Sequence, residues 1–366
     1  MDKLAILGAN GFIGTQAVEF FHLQNFYEVV PVVRGNSSLA RVARFKLNSQ
    51  VADANDREKL ALAFSGCRYV LHAALGDARS MVNSVEAVYK AAEKAGVEKI
   101  VYLSSLAAHG LTPEAGTNES QVLSGKQRFV YNNAKVASEK RLGQLRDGGN
   151  VATTILRPGV VYGPRSARWT ACLADELIAG TAYLAHNGAG IFNGIYVDNL
   201  LEAVRLSLEV RESDRQAFLV SDEEKVTWLE FYERMASALG LDVSTVYRLS
   251  DEEVNAGLKP SREDLFNHVR ALPFTQSILP LISGPMKSSI KKVLIGNVQG
   301  ADASGGVSGV TAKVRPTAEI LSLQSCRHKV GFEKASRMLG YKPPITFAEG
   351  MKRTIAWLEF TGYPIR

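Results

Sequence analysis

Apolar and polar positions alternate along the first half of the chain with two different periods. Short, β-rich apolar runs at Leu4–Leu7, Val29–Val33, Tyr69–Ala74, Ile100–Ser104 and Thr153–Leu156 are bounded by turn residues and predict strands. Between them apolar residues recur at helical spacing over Thr15–Leu23, Arg57–Ser65, Met81–Ala95 and Asn132–Gln144. Gly96 closes the third of these helices before the next strand begins. Strand–helix alternation of this kind predicts an α/β fold, a doubly wound parallel Rossmann sheet with helices on both faces.

The rhythm changes after Pro164. A helix over Ala171–Ala179 and a glycine-bearing turn at Asn187–Gly190 are expected, then a strand over Ile191–Val197 that returns to the sheet. From Trp228 onward helical patterns dominate, as in Trp228–Leu239 and Glu333–Leu339, with Trp228 and Trp357 on apolar faces. The expected division is a nucleotide-binding domain over 1–165, with 191–205 returning to its sheet. A smaller, mostly helical C-terminal substrate region takes 166–190 and 206–366. Residues 296–310, rich in Gly, Ser and Ala, read as a loop. Residues 278–295 combine apolar positions with Lys287, Lys291 and Lys292; a domain helix is the preferred reading, peripheral membrane contact the other.

Composition narrows the partners. The chain carries 43 basic and 37 acidic residues, a mild excess of +6 that suits an anionic small-molecule ligand. It has no basic run interleaved with aromatics, so nucleic-acid binding is not expected. Cys67, Cys172 and Cys326 lie far apart without metal-ligand spacing, which predicts reduced thiols and no metal site. No apolar run is long enough to span a bilayer and no secretory leader pattern opens the chain, so a cytoplasmic protein is expected.

Candidate chemistry begins at the first strand–helix turn, Gly8-Ala9-Asn10-Gly11-Phe12-Ile13-Gly14. Glycines there permit a tight turn and close backbone approach, and the helix N-terminus offers free N–H groups to a pyrophosphate. At the end of the second strand a carboxylate would hold a ribose 2′-hydroxyl, whereas this chain has Arg34, followed by Ser37 and Ser38. NADP is therefore favoured, with NAD the alternative. Asp53, beside Ala54 after the third strand, is placed to meet an adenine amino group, while Asp56 is the better helix cap. Tyr131 and Lys135 stand four residues apart, on one face of a helix. A nearby ammonium and the positive ring of an oxidised nicotinamide both favour the phenolate, and the phenol can then exchange a proton with a carbinol as hydride moves to or from that ring.

With GANGFIG at 8–14, VLHAAL at 70–75, VYLSSLAAHG at 101–110, YNNAK at 131–135 with Glu139 following, LRPGVVYGP at 156–164 and IYVDNLLEAV at 195–204, the chain resembles the extended short-chain dehydrogenase/reductases. That group holds the NAD-dependent epimerases and dehydratases and the 3β-hydroxysteroid dehydrogenase-like enzymes, and the resemblance reaches LGYKPPITFAEGMKRTIAWL at 339–358. It implies Tyr131 as acid/base, Lys135 as its partner, Ser105 on the reacting oxygen and Asn83 as a structural or proton-relay residue. It implies that Ala73, Ala74 and Ser104 line the cofactor path and that Pro158 to Val160 touch the nicotinamide. A homodimer through the helices carrying Asn83 and Tyr131 is also implied. Leu106 and Ala107 stand where the dehydratases carry Asp-Glu, which removes dehydration. Gly188–Gly194 lacks the diphosphate-binding Arg of the sugar-nucleotide enzymes; Arg165 or Arg168 would have to supply that charge. The expected function is an NAD(P)-dependent oxidoreductase or epimerase, with a nucleotide-linked sugar ahead of an apolar, steroid- or dihydroflavonol-like carbinol. A catalytically silent NADP-binding protein is a remote third reading. His72 and His109 are expected to be packed rather than catalytic.

Overall fold

The apolar runs of the N-terminal half are buried on both faces, which a parallel sheet between helical layers requires. The computed structural model describes residues 1–259, 314 and 316–366; the expectations for 278–295 and 296–310 lie outside the described residues. The sheet strands are β1 (Lys3–Leu7), β2 (Glu28–Val33), β3 (Gln50–Val51), β4 (Tyr69–His72), β5 (Lys99–Leu103) and β6 (Ala152–Pro158). Between them run α1 (Phe12–Leu23), α2 (Arg57–Ala63), α3 (Ala78–Ala95) and α4 (Val130–Gly148). The second half follows with β7 (Val160–Tyr162), α5 (Cys172–Ile178), β8 (Tyr183–Leu184), β9 (Ile191–Phe192), β10 (Gly194–Tyr196) and α6 (Val197–Glu209). Then come β11 (Gln216–Val220), β12 (Val226–Thr227), α7 (Trp228–Ala238), β13 (Tyr247–Arg248), α8 (Asp251–Leu258), α9 (Ala318–Gln324), α10 (Glu333–Leu339) and α11 (Phe347–Phe360).

Seven strands form one all-parallel sheet in the order β11-β6-β5-β4-β1-β2-β3. The order reverses between β1 and β4, and a doubly wound sheet binds its ligand in the crevice at that point. Local signals set the helix ends. The Asp77 carboxylate caps α3 through the Ser80 N–H, Gly96 ends it in the left-handed conformation, and Asp56 caps α2 through Lys59. α3 and α4 pack side by side on one face of the sheet, and α6 packs on the other side of α4's strand neighbours, against α1, β5 and β6.

Two expectations about the second half are corrected. The strand over Ile191–Val197 does not return to the sheet: Ile191–Phe192 pairs antiparallel with β12, and Gly194–Tyr196 pairs with β7, in separate two-stranded ribbons. The backbone is claimed by other partners, since the Ile191 N–H donates to Cys326 O at 2.6 Å and the Asn193 carbonyl accepts from Val160 N–H at 2.7 Å. The seventh strand is instead Gln216–Val220, within the stretch expected to be substrate region; 197–205 does return to the sheet, but as helix α6 packed on it.

Candidate active site

The glycine loop is shaped by contacts that exclude side chains. Gly8 has φ +88°, and a Cβ there would lie 2.7 Å from the Ala74 nitrogen; a Cβ on Gly14 would lie 2.1 Å from the Gly8 carbonyl oxygen. The loop is thereby drawn against the end of β4, which places Ala73 and Ala74 beside it, and α1 starts just after Gly11, its N-cap, with no side-chain cap. Its first N–H groups stay available to an anion. Arg34 emerges exposed directly after β2. A short 3₁₀ turn over Asn36–Arg41 then comes back to the loop, where Arg41 Nη1 donates to the Asn10 carbonyl at 3.0 Å. Between residues 34 and 46 the chain has four cations and no carboxylate. Asp53 sits beyond β3 beside Ala54, accepting from the Asn55 N–H at 2.9 Å, while Asp56 takes the helix cap. The cradle fits a dinucleotide: a Cβ would fill it and helix N–H groups face it.

Ser105 stands at the end of β5, where its Oγ accepts from the Ala107 N–H at 3.1 Å and favours the Tyr131 phenolate. Tyr131 lies in the first turn of α4 and Lys135 one turn further, so both reach the same strand end. The Lys135 ammonium donates to the Leu103 carbonyl at 2.8 Å and lies 5.7 Å from the Tyr131 ring centre and 5.0 Å from that of Tyr102. Burial pushes Lys135 down to about 8, opposed by the charge of Glu139. Burial raises the Tyr131 pKa, the Ser105 hydroxyl lowers it, and the Glu319 charge raises it again. A dry site penalises the phenolate more than its fixed neighbours stabilise it.

A cavity of about 510 Å³ opens over this group. Its walls include Phe12, Ile13, Leu111, Trp169, Trp228 and Ile320, and Ser104, Ser105, Tyr131, Pro158 and Val160 also line it. Sequence reasoning had placed Trp228 only in the core and had missed Trp169, Glu319 and Cys326, which arrive from distant elements. Arg168 lines the cavity, with a 3.6 Å contact to Glu176 and its guanidinium 5.6 Å from the Trp169 ring centre. Two assignments are corrected. Arg165 does not line the cavity, because its guanidinium is taken by Glu19 at 2.6 Å and Gln16 at 3.1 Å on α1. Asn83 is exposed on α3 and is not brought to the site; its neighbour Ser84 is the buried side chain.

Behind the site lies a buried polar network that sequence reasoning did not assemble. The Ser104 hydroxyl donates to Glu139, and Arg157 pairs with Glu139 through Nη2 at 2.6 Å and Nε at 3.1 Å. Arg157 Nη1 also donates to His109 Nε2 at 3.0 Å, with His109 pushed down to about 4 by burial and then by the Arg157 charge. Glu139, already quoted after the YNNAK motif, and the arginine of LRPG were the available signals.

The comparisons agree with this geometry. The NAD dependent epimerase/dehydratase family matches over residues 4–220, and the chain belongs to that family. It is therefore an NAD-dependent oxidoreductase of the epimerase/dehydratase type, an extended short-chain dehydrogenase/reductase. A mouse sterol-4-alpha-carboxylate 3-dehydrogenase (decarboxylating) is 22% identical, the match covering 96% of this chain and 90% of that protein. A UDP-glucose 4-epimerase of Vibrio cholerae is 24% identical over 65% of this chain and 76% of its own length. Among solved structures, a UDP-glucose 4-epimerase of Thermotoga maritima with UDP-glucose superposes with a TM-score of 0.69 at 18% identity, covering 98% and 99% of the two chains. A dTDP-glucose 4,6-dehydratase of Streptomyces venezuelae with NAD bound gives a TM-score of 0.68 at 19% identity, covering 98% and 97%. Among the described residues no helix is long and apolar enough to cross a membrane, and no cluster of side chains could hold a metal ion.

Proposed function

We propose that the enzyme is a dehydrogenase or reductase of an apolar carbinol or ketone, using NADP. The observation that carries this reading is the wall of the cavity: among the described residues Arg168 and Glu319 are its only charged lining residues, set among large apolar side chains. A nucleotide diphosphate needs several converging donors, and a sugar ring needs polar partners throughout. The apolar reading accordingly moves ahead of the nucleotide-linked sugar. Similarity to a sterol dehydrogenase over nearly the full length of both chains supports it. The bound nicotinamide would supply or accept hydride. Gly8, Gly11 and Gly14 would hold its pyrophosphate, and Arg34 with Arg41 the adenosine phosphate. Tyr131 would exchange the proton of the reacting oxygen, Ser105 would orient that oxygen, and Lys135 would keep a positive charge beside both. Arg168 would meet the polar end of the substrate.

The division of labour follows the same line: a nucleotide-binding half, and a substrate wall built from the segments around Trp169, Trp228 and α9. A homodimer through the exposed sides of α3 and α4, in a reducing cytoplasm that leaves the three cysteines free, completes the proposal. Ligand-induced thermal stabilisation tests it, because a ligand that binds only the folded state raises the melting temperature by mass action. With NADP present, an apolar cyclic ketone such as trans-2-decalone should add a shift and UDP-glucose should not. A shift with UDP-glucose and none with the ketone would overturn the reading.

A further inference from the structure

Tyr131 lies in the first turn of α4, and that turn has no capping side chain: Phe129 holds the N-cap position and makes no side-chain hydrogen bond. First turns of this kind leave their N–H groups without helix partners and fray readily. Something else must hold the phenol still, and the two residues that follow it, Asn132 and Asn133, do so. Asn133 grips both backbone groups of Gln127: its Oδ1 accepts from the Gln127 N–H at 2.7 Å, and its Nδ2 donates to the Gln127 carbonyl at 2.8 Å. Asn132 is buried and donates from Nδ2 to Gln127 Oε1 at 2.8 Å.

The Gln127 side chain carries the connection onward. Its Nε2 donates to the Ala108 carbonyl at 2.7 Å and to the Ser124 carbonyl at 3.0 Å. Ala108 is buried in the 3₁₀ turn Leu106–His109, whose N-cap is Ser105 itself. The direction is fixed by chemistry: two carbonyls can only accept, so the amide turns its nitrogen to them and its oxygen to Asn132, which must then donate. One side chain thus joins the turn that begins on Ser105 to the helix that begins beside Tyr131. It also closes the loop between Ala108 and Ser124, which lends Leu111 and Pro113 to the cavity wall. The far part of that loop is tied separately to the edge strand β11, where Glu119 Oε1 accepts from the Leu219 N–H at 2.8 Å.

We propose that Gln127 is a positioning residue: a strut, braced by Asn132 and Asn133, that holds the Ser105 turn against the Tyr131 helix and seats the wall formed by Leu111 and Pro113. Gln127 is not on the cavity wall, so it acts through the backbone on either side of it. Its worth lies in registration, since a misplacement of about 1 Å between reacting groups can cost about 10²-fold in rate. The consequence for turnover rests on the reading of Ser105 and Tyr131 as the residues at the reacting oxygen. The strut itself is independent of that reading and can be tested without turnover.

The test is a double-variant cycle of Gln127→Met and Asn132→Leu, each close in size to the residue it replaces. In Gln127→Met, hydrogen–deuterium exchange read by mass spectrometry should rise at two separate segments, residues 106–111 and the first turn of α4, with α3 unchanged. NADPH oxidation with trans-2-decalone should show kcat lowered by about ten- to a hundredfold and the KM for NADPH unmoved. Either single change breaks the strut, so the double variant should be no slower than the slower single one. Should Gln127→Met not fold, Gln127→Glu replaces it in both measurements, keeping the acceptor for Asn132 and losing the donor to Ala108. A rise confined to residues 124–129, an unaltered kcat, or losses that multiply across the cycle would overturn the proposal. A parent protein that turns over no decalone, or a Tyr131→Phe variant as fast as the parent, faults the reading of the substrate or the tyrosine instead. Exchange alone then decides, with both segments loosening in favour of the strut and one alone against it.

Discussion

Replacing Glu139 by Gln removes one charge from a pair whose side chains are only 7% (Arg157) and 6% (Glu139) exposed. Gln keeps an oxygen for the Ser104 hydroxyl and for one Arg157 N–H, but it leaves the guanidinium buried without a counter-charge. Breaking a buried pair by removing one partner costs about 3–5 kcal/mol; the retained hydrogen bonds place this variant near the lower end. Arg157→Met leaves Glu139 as the orphan and also strips His109 of its donor, so its loss should be at least as large. The double variant removes both charges and should cost less than the two single losses added together, since an apolar replacement of a whole buried pair is often neutral. Urea unfolding of the four proteins gives the cycle, and the expected coupling is about 1–3 kcal/mol. The Glu139 variants should also drop the Lys135 midpoint below about 8, because Glu139 is the charge that raises it. Additive losses, or a Glu139→Gln protein as stable as the parent, would refute the view that this pair underpins the site.

Three further outcomes follow from the geometry. Tyr131→Phe should lower turnover by about 10²–10⁴, the usual worth of a positioned acid/base, while NADP binding measured by fluorescence titration is unchanged; retained turnover would remove Tyr131 from the chemistry. Arg34→Ala and Arg41→Ala should each weaken NADP by about ten- to a hundredfold, as expected for a charge-assisted bond of about 1.5–3 kcal/mol, and leave NAD affinity unaltered in the same calorimetric titration. Asp222 is buried beneath the Tyr162 hydroxyl, the Asn199 amide and the Tyr196 N–H, and burial raises its carboxyl from 3.8 to about 6. Between those values the native state holds a proton that the unfolded chain has released, so stability should fall as pH rises from about 4 to about 6. Asp222→Asn should flatten that segment of a melting-temperature profile, and an unaltered slope would assign it to other groups.

What the chain discloses to a reader depends on the range of the forces involved. β1, β2, β4 and β5 were legible because each is buried on both faces and reads as one apolar run, and Tyr131 and Lys135 because one helical turn fixes their spacing. Ser105 and the glycine loop were legible because a strand end and a helix start bracket them. Asn83 failed by a single position, since on a helix the next residue points about 100° away, and it is Ser84 that faces inward. Arg165 failed because its partner Glu19 lies 146 residues earlier. The Ile191–Tyr196 stretch has strand composition, yet a Cβ on Gly190 would lie 1.8 Å from the Gln324 carbonyl oxygen. The backbone there is committed to the segment around Cys326, a constraint carried by no local pattern. The cavity wall shows the same limit most plainly, drawing Phe12, Trp169, Trp228 and Ile320 from four separate elements. Hydride chemistry is written in short motifs that rigid strand ends and one helix can hold. Substrate choice is written in contacts between elements, which is why the polarity of the pocket became readable only once those elements had been packed together.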